Sequence, residues 1–336
     1  MKVICFKQYS GNGKTGGHLV FEAICEAMSE IFAVEVKEFS MYDEPSLKKR
    51  FQYLTSVRRC ARDALKNGDH IYGLGKAGTI DYIVPIINRK GFLGSLETLK
   101  EWLTLNYLSA FSDYRKVCMF GSNYIKKIER KSSCKGPVIY PPLLENIEFI
   151  DGERENIILA ISRISREKNI EFVGRLSDVV DAKFVVIGFV TKSNRKYLAK
   201  LKKEFPKLTI LTDVPAEEKL KWLRKAKILL HAAINEPYGM TKIEGMAAGC
   251  VPLVHNSGGS PENIPDGYTF DNIDEAKTKI VEILREYNLD IAIKMSDFVK
   301  NMNLESFKRQ IKLYLKEVLD KNTENSKISL EGIGRY

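Results

Sequence analysis

Four charged side chains in the second half of the chain have the types and spacing to hold a phosphorylated, hydroxyl-rich molecule. Arg163 and Lys168 lie five residues apart in Ser162-Arg-Ile-Ser-Arg-Glu-Lys-Asn169. A guanidinium fork and an ammonium point charge on one loop suit the phosphates of a diphosphate. A solvated charged loop is the plainer reading of the same run. Glu236 and Glu244 follow, with seven residues between them. Ionised carboxylates only accept hydrogen bonds, so this pair suits neighbouring diols, such as those of a sugar and of a ribose. Pro237 is suited to open a helix, because its missing N–H needs no partner there. That places Glu236 just before the helix and Glu244 about two turns along it. Gly239 permits close backbone approach. The first N–H groups of the helix would then face the same anion as Arg163 and Lys168, and Gly249 would end the helix.

A second candidate lies near the N-terminus. Gly11-Asn-Gly-Lys-Thr-Gly16-Gly17 follows a strand-like run and reads G-x-G-x-x-G over positions 11, 13 and 16. With Glu35 or Glu38 as a ribose-binding acid, it supports an NAD(P)-dependent oxidoreductase as the alternative function. Lys14-Thr15 do not make a P-loop, since Gln8 stands where that motif needs glycine. A glycine-rich strand-to-helix turn without a ligand is the structural alternative.

These loops need elements to position them. Strand-like runs occur at Val3–Lys7, Ala33–Phe39, His70–Leu74, Lys116–Phe120 and Val138–Tyr140. A second series covers Asn156–Ile161, Phe184–Ile187, Thr209–Leu211, Ile228–Leu230 and Val251–Val254. Helical periodicity lies between them at Leu19–Ile31, Leu47–Leu65, Ser95–Ala110, Ile170–Val180, Lys196–Phe205, Glu217–Ala226 and Thr241–Ala248. Val- and Ile-rich strands alternating with helices predict parallel sheets covered on both faces. Two such series predict two doubly wound α/β domains, with ligands outside the carboxyl ends of the strands. Pro141-Pro142 and the acidic stretch after them mark the break. The predicted domains are residues 1–145 and 146–290. A final helix over 291–319 returns to the first domain, and 320–336 form a polar tail.

Composition sets the outer bounds. The 336 residues are 44% hydrophobic and 29% charged, as in soluble globular proteins. At roughly 150 residues per domain, two domains are expected. The net charge of +10 favours anionic partners without choosing among them. The six cysteines form no C-x-x-C pair, so reduced thiols in a cytoplasmic protein are expected. No secretory leader and no membrane-spanning run are read.

The run Glu236–Pro252 resembles the signature of the retaining GT-B glycosyltransferases of family 4, the glycosyl transferases group 1. That signature is E-x-[FY]-G, a second Glu after seven intervening residues, and a small-residue helix ending in G-x-P. The Arg163/Lys168 loop resembles the family's diphosphate loop, Val138-Ile-Tyr-Pro-Pro142 its pre-linker run, and Gly16-Gly17 its first glycine loop. His255-Asn-Ser-Gly-Gly259 is similar to the lipid-linked mannosyltransferases of eukaryotic type. The resemblance implies GT-B architecture, with two Rossmann-like domains facing a central cleft. It implies transfer of a hexose from a UDP- or GDP-linked donor with retention, without a metal or cofactor. Arg163 and Lys168 would hold the diphosphate, Glu236 the transferred sugar and Glu244 the ribose. Tyr238, Gly239, Met240 and Thr241 would add backbone or hydroxyl contacts, and Gly16 and Gly17 would close over the phosphates. Glu236, Arg163 and Lys168 are the expected catalytic group. No protein nucleophile is evident, so the acceptor would attack from the front face.

The chain departs from the family on the acceptor side. Many relatives carry a His at the end of an N-terminal-domain strand, whereas here Gly73-Leu-Gly-Lys76-Ala-Gly78 has none. His18 and Lys76 are the candidates for that role, and an inactive nucleotide-sugar-binding relative is a further alternative. The expected acceptor is a glycan, a lipid-linked molecule or a small molecule. Lys48, Lys49, Arg50, Arg58, Arg59 and Arg62 flank an apolar stripe in the 47–65 helix. They suggest a peripheral contact with an anionic membrane, against the plainer reading of a solvated helix edge. Nucleic acid is not expected, because no reader motif is present.

Overall fold

The computed structural model describes residues 2–9, 16–40, 70–72, 119–128 and 136–331. Gly11, Gly13, Lys76 and the helices expected over 47–65 and 95–110 lie outside these residues. Two compact units are present, residues 1–142 with 304–336, and residues 143–303.

In the first unit, β1 (Lys2–Tyr9), β2 (Ala33–Ser40) and β3 (His70–Tyr72) form a parallel sheet in the order β2-β1-β3. Helix α1 (Gly16–Ser29) starts at the glycine pair, three residues before its expected apolar stripe. Val20, Ile24 and Ala27 give it a fully buried face, at the i, i+4, i+7 spacing that an amphipathic helix requires. Gly16, Gly17 and His18 therefore belong to its first turn. The expected strands at 116–120 and 138–140 reduce, among the described residues, to a single bridge between Phe120 and Val138. Short helix α2 (Asn123–Ile128) follows, with Ile125 buried against Phe120.

The second unit is a six-stranded parallel sheet. Its strands are β4 (Glu155–Ile161), β5 (Lys183–Gly188), β6 (Thr209–Thr212), β7 (Ala226–His231), β8 (Val251–His255) and β9 (Thr269–Phe270). Their order is β6-β5-β4-β7-β8-β9. Helices α3 (Ile170–Val179), α4 (Arg195–Glu204), α5 (Ala216–Lys225), α6 (Thr241–Ala247) and α7 (Ile273–Glu286) connect or cover them. The central strands are buried over Ile157–Ala160, Phe184–Ile187 and Ile228–Leu230, as continuous apolar runs in a sheet covered on both faces must be. The chain winds outward from β4 in one direction and from β7 in the other. The β4/β7 junction is thus the topological switch point, where open α/β sheets bind ligands.

The single final helix expected over 291–319 is two helices, α8 (Leu289–Val299) and α9 (Leu304–Glu331). The break coincides with a backbone contact: the Met302 carbonyl accepts a hydrogen bond from the Leu143 N–H at 2.7 Å, and Asn303 bridges Leu143. Helix α9 belongs to the first unit and lies against α1, where Lys308 pairs with Glu26 at 2.7 Å and Lys312 with Glu30 at 2.6 Å. It also runs through much of the expected polar tail, to Glu331.

Candidate functional site

Two loops leave the carboxyl ends of the adjacent strands β4 and β7. The first carries Arg163 and Lys168, with a short helical turn over Arg166–Lys168. The second, residues 232–240, carries Glu236. The Asn169 amide donates to the Ala232 carbonyl at 3.1 Å and ties the loops together. Lys168 Nζ reaches Glu236 Oε2 at 2.6 Å, with both side chains more than four-fifths buried. Residues 68 positions apart in sequence meet because the switch point makes their strands neighbours.

The second loop is built differently from the expectation. Pro237 does not open a helix, and α6 begins only at Thr241. Gly239 intervenes at φ +80°, a left-handed conformation that no α-helix contains. Any Cβ there would also come within 3.2 Å of His231 Nε2. Glu244 consequently sits in the first turn of α6, not two turns along it. The N–H groups of Lys242, Ile243 and Glu244 donate to the Gly239 and Met240 carbonyls, so they are not presented to a ligand. The Thr241 hydroxyl is buried without a hydrogen-bond partner. The Tyr238 ring is in the core, where its hydroxyl accepts from the Asn263 amide at 3.2 Å.

Electrostatics divide the site into two parts. Around Glu236, burial alone would raise the carboxyl pKa, but Lys168, His231 and Arg163 outweigh it and hold the pKa below the usual range. Burial takes His231 down to about 4, so its imidazole is neutral at pH 7. Its Nε2 is 3.9 Å from Glu236 Oε2 and makes no hydrogen bond. Around Glu244, burial raises the pKa, and Lys219 only partly opposes it because Glu145 adds like charge. Lys219 Nζ bridges the two carboxylates, at 3.2 Å from Glu244 and 2.5 Å from Glu145. Arg163 lies toward solvent, paired with Glu167.

Lys242 was not singled out by sequence, yet it organises the site. It is fully buried, and its ammonium donates to the carbonyls of Tyr238 at 2.7 Å, Gly259 at 3.0 Å and Ser260 at 2.9 Å. Burial pulls its pKa down to about 7, against the pull of Glu262 and Glu236. The three bonds satisfy an ammonium completely and clamp the Glu236 loop to the loop after β8. Gly259 N–H reinforces the clamp by donating to the Glu236 carbonyl at 2.7 Å. A lysine at an inward helical position was the available signal, but it reads equally as a solvated charge. The expected His255 loop is ordered by His255 Nδ1 against the Ser257 hydroxyl at 2.8 Å, which also receives the Asn235 N–H.

The structure thus brings together Arg163, Lys168, Glu236, Gly239, Met240, Thr241 and Glu244 on one edge of one sheet. Gly16, Gly17 and His18 belong to the other unit, and Lys76 lies outside the described residues. Among the described residues no helix is long and apolar enough to cross a membrane.

Comparison with known proteins agrees with this construction. Residues 145–302 match the family model described as glycosyl transferases group 1. The chain is 25% identical over 223 residues to the GDP-Man:Man(3)GlcNAc(2)-PP-Dol alpha-1,2-mannosyltransferase of Dictyostelium discoideum, covering 57% of this chain and 44% of that one. It is 32% identical over 146 residues to the protein of the same name from Neurospora crassa, covering 36% and 26% respectively. The chain therefore spans less than half the length of these relatives. Anabaena HepE, in a crystal structure with UDP and glucose, shares the fold with a TM-score of 0.69 at 13% identity, over 94% of this chain and 100% of that one. The oxidoreductase alternative finds no support in these matches. Residues 145–302 thus resemble the glycosyl transferases group 1 family, in a chain with the GT-B fold.

Proposed function

We propose that the chain transfers a hexose from a nucleoside-diphosphate sugar to an acceptor, with retention and without a metal or organic cofactor. The observation that carries this reading is the meeting of Lys168 and Glu236 at the switch point, 2.6 Å apart. A cation for phosphate and an ionised acceptor for hydroxyls thus stand side by side where the fold places ligands. Arg163 and Lys168 would stabilise the growing charge on the leaving diphosphate. Glu236, kept ionised by its neighbours, accepts a hydrogen bond from the transferred sugar. Glu244, positioned by Lys219, takes the ribose hydroxyls. Thr241 Oγ1, buried without a partner, becomes available to the sugar or phosphate if the loop opens.

The proposed reaction passes through a state resembling an oxocarbenium ion. The anomeric bond to the diphosphate breaks as the acceptor oxygen bonds to the same face. The acceptor proton goes to a diphosphate oxygen, so no protein nucleophile is required. The names of the relatives make GDP-mannose the first donor to try, with a dolichol diphosphate-linked glycan the first acceptor, and UDP-glucose is the comparison donor. An anionic membrane surface is the proposed place of encounter with a lipid-linked acceptor.

A panel of GDP, UDP, ADP and their sugars, run beside NAD(P), tests the donor. A ligand at about 100 times its dissociation constant should raise stability by roughly 2.7 kcal/mol. Proton NMR of the product should show the donor's anomeric configuration, and EDTA should leave the rate unchanged. Stabilisation by NAD(P) alone would overturn the reading, an inverted product would overturn retention, and loss of rate in EDTA would overturn metal independence.

A further inference from the structure

His231 is not accounted for by the roles assigned above. It ends β7, is 6% exposed, and its Nε2 is buried without a hydrogen-bond partner. Buried polar atoms of this kind are uncommon and costly. The nearest anionic group is Glu236, whose Oε2 stands 3.9 Å away, just beyond hydrogen-bonding reach. That same oxygen is held by Lys168 at 2.6 Å. Gly239 packs its Cα side against the imidazole, where a Cβ would come within 3.2 Å of Nε2. The ring is thus confined beside a carboxylate that is engaged elsewhere. Lys242 is a further cation acting on the ring, and it is fixed by its three carbonyls. Lys168 is the free arm of the cluster, because its ammonium reaches Glu236 from the end of a loop.

We propose that His231 is a positioning residue for Glu236 that exchanges with Lys168. In one arrangement Lys168 holds Glu236, at 2.6 Å. When a nucleoside diphosphate draws the Lys168 ammonium to its phosphates, the neutral imidazole donates its Nε2–H to the vacated carboxylate. Glu236 then stays ionised and fixed toward the sugar instead of being left as an unpaired buried charge. The inference deepens the proposed function, on which its ligand-dependent part rests. The exchange itself is a property of three side chains and can be read without any ligand.

The test is NMR of the imidazole nitrogens in the full chain labelled with ¹⁵N-histidine. The chain has four histidines, and His231→Gln assigns the signal. Lys168→Met, with no nucleotide present, should move the His231 Nε2–H resonance downfield as the bond to Glu236 forms, and the double variant Lys168→Met/Glu236→Gln should weaken that shift. An unchanged His231 signal in Lys168→Met overturns the exchange, whatever binds to the protein. GDP or UDP, whichever stabilises the wild type, should produce the same shift. Binding without the shift overturns the exchange, whereas a shift in Lys168→Met together with no nucleotide binding overturns the donor reading alone. In turnover, His231→Leu should lower kcat by up to about 100-fold with little change in donor KM, and His231→Gln, which keeps an N–H donor near the same place, should restore most of it. An equal loss in both variants, tracking thermal stability, would mark His231 as structural only.

Discussion

Two buried lysine–glutamate pairs lie on the same edge of one sheet and have opposite electrostatic outcomes. Glu236 sits among Lys168, His231 and Arg163, and its pKa is lowered. Glu244 shares Lys219 with Glu145, and its pKa is raised. Burial opposes ionisation at both, so the difference comes from the neighbours: cations predominate around Glu236, and a second carboxylate competes at Glu244. The proposed reaction uses the first carboxyl as a firm anion beside the sugar, where positive charge would develop, and the second, held closer to neutrality, at the ribose, where no charge would change.

Removing the clamp on the cation-rich side should have the largest effect. Lys242→Met keeps the length of the side chain but leaves the carbonyls of Tyr238, Gly259 and Ser260 without their shared donor. A loss of about 3–5 kcal/mol is expected in urea unfolding, the scale of breaking a fully buried charged cluster. A loss below about 1 kcal/mol would show that the loops hold themselves.

The pH dependence of stability sharpens the same side. His231 titrates near 6.5 when unfolded and near 4 when folded. Between these values the unfolded chain binds more protons, so stability is fully present above pH 6.5 and falls as pH drops toward 4. The contribution is about 3 kcal/mol at 1.36 kcal/mol per unit of pKa. Wild-type stability should therefore fall relative to His231→Gln by about that amount as pH drops through that window. Parallel curves would place the imidazole's titration elsewhere.

The acid-rich side is probed by binding. Glu244→Ala leaves Lys219 with Glu145, so the fold should persist. Nucleoside diphosphate affinity should fall by about 30-fold, as for loss of hydrogen bonds to a charged group. Calorimetry showing unchanged affinity would remove Glu244 from the ribose. Arg163→Ala should give the smallest stability change, within about 1 kcal/mol, because its pair with Glu167 is 41% and 58% exposed. Its donor affinity should nonetheless fall, and a variant with wild-type binding would leave Lys168 as the sole phosphate cation of the loop.

Local chemistry was legible before any coordinates. Phe184–Ile187 and Ile228–Leu230 announce buried parallel strands by their unbroken apolar runs, and Gly249 ends its helix at φ +92° as expected. The spacing of Arg163, Lys168, Glu236 and Glu244 pointed to the edge on which they lie. Misreadings came where backbone conformation or backbone pairing decides, not the period of the side chains. Pro237 looks like a helix start, but Gly239 in the left-handed region delays the helix to Thr241. Residues 291–319 read as one amphipathic helix, but the chain leaves the helix between Val299 and Leu304, where the Leu143 N–H meets the Met302 carbonyl.

Residue type and spacing determined the strands of the second sheet and the kinds of group available at the site, since these follow from the period of apolar side chains and from charge. Tertiary structure alone decided which of those groups meet. Lys168 and Glu236 become partners through the strand order at the switch point, Lys219 is claimed by two carboxylates from separate segments, and Lys242 turns inward to three carbonyls. The pKa of each carboxyl follows from those long-range neighbours and from burial, neither of which is a property of the residue's own sequence window.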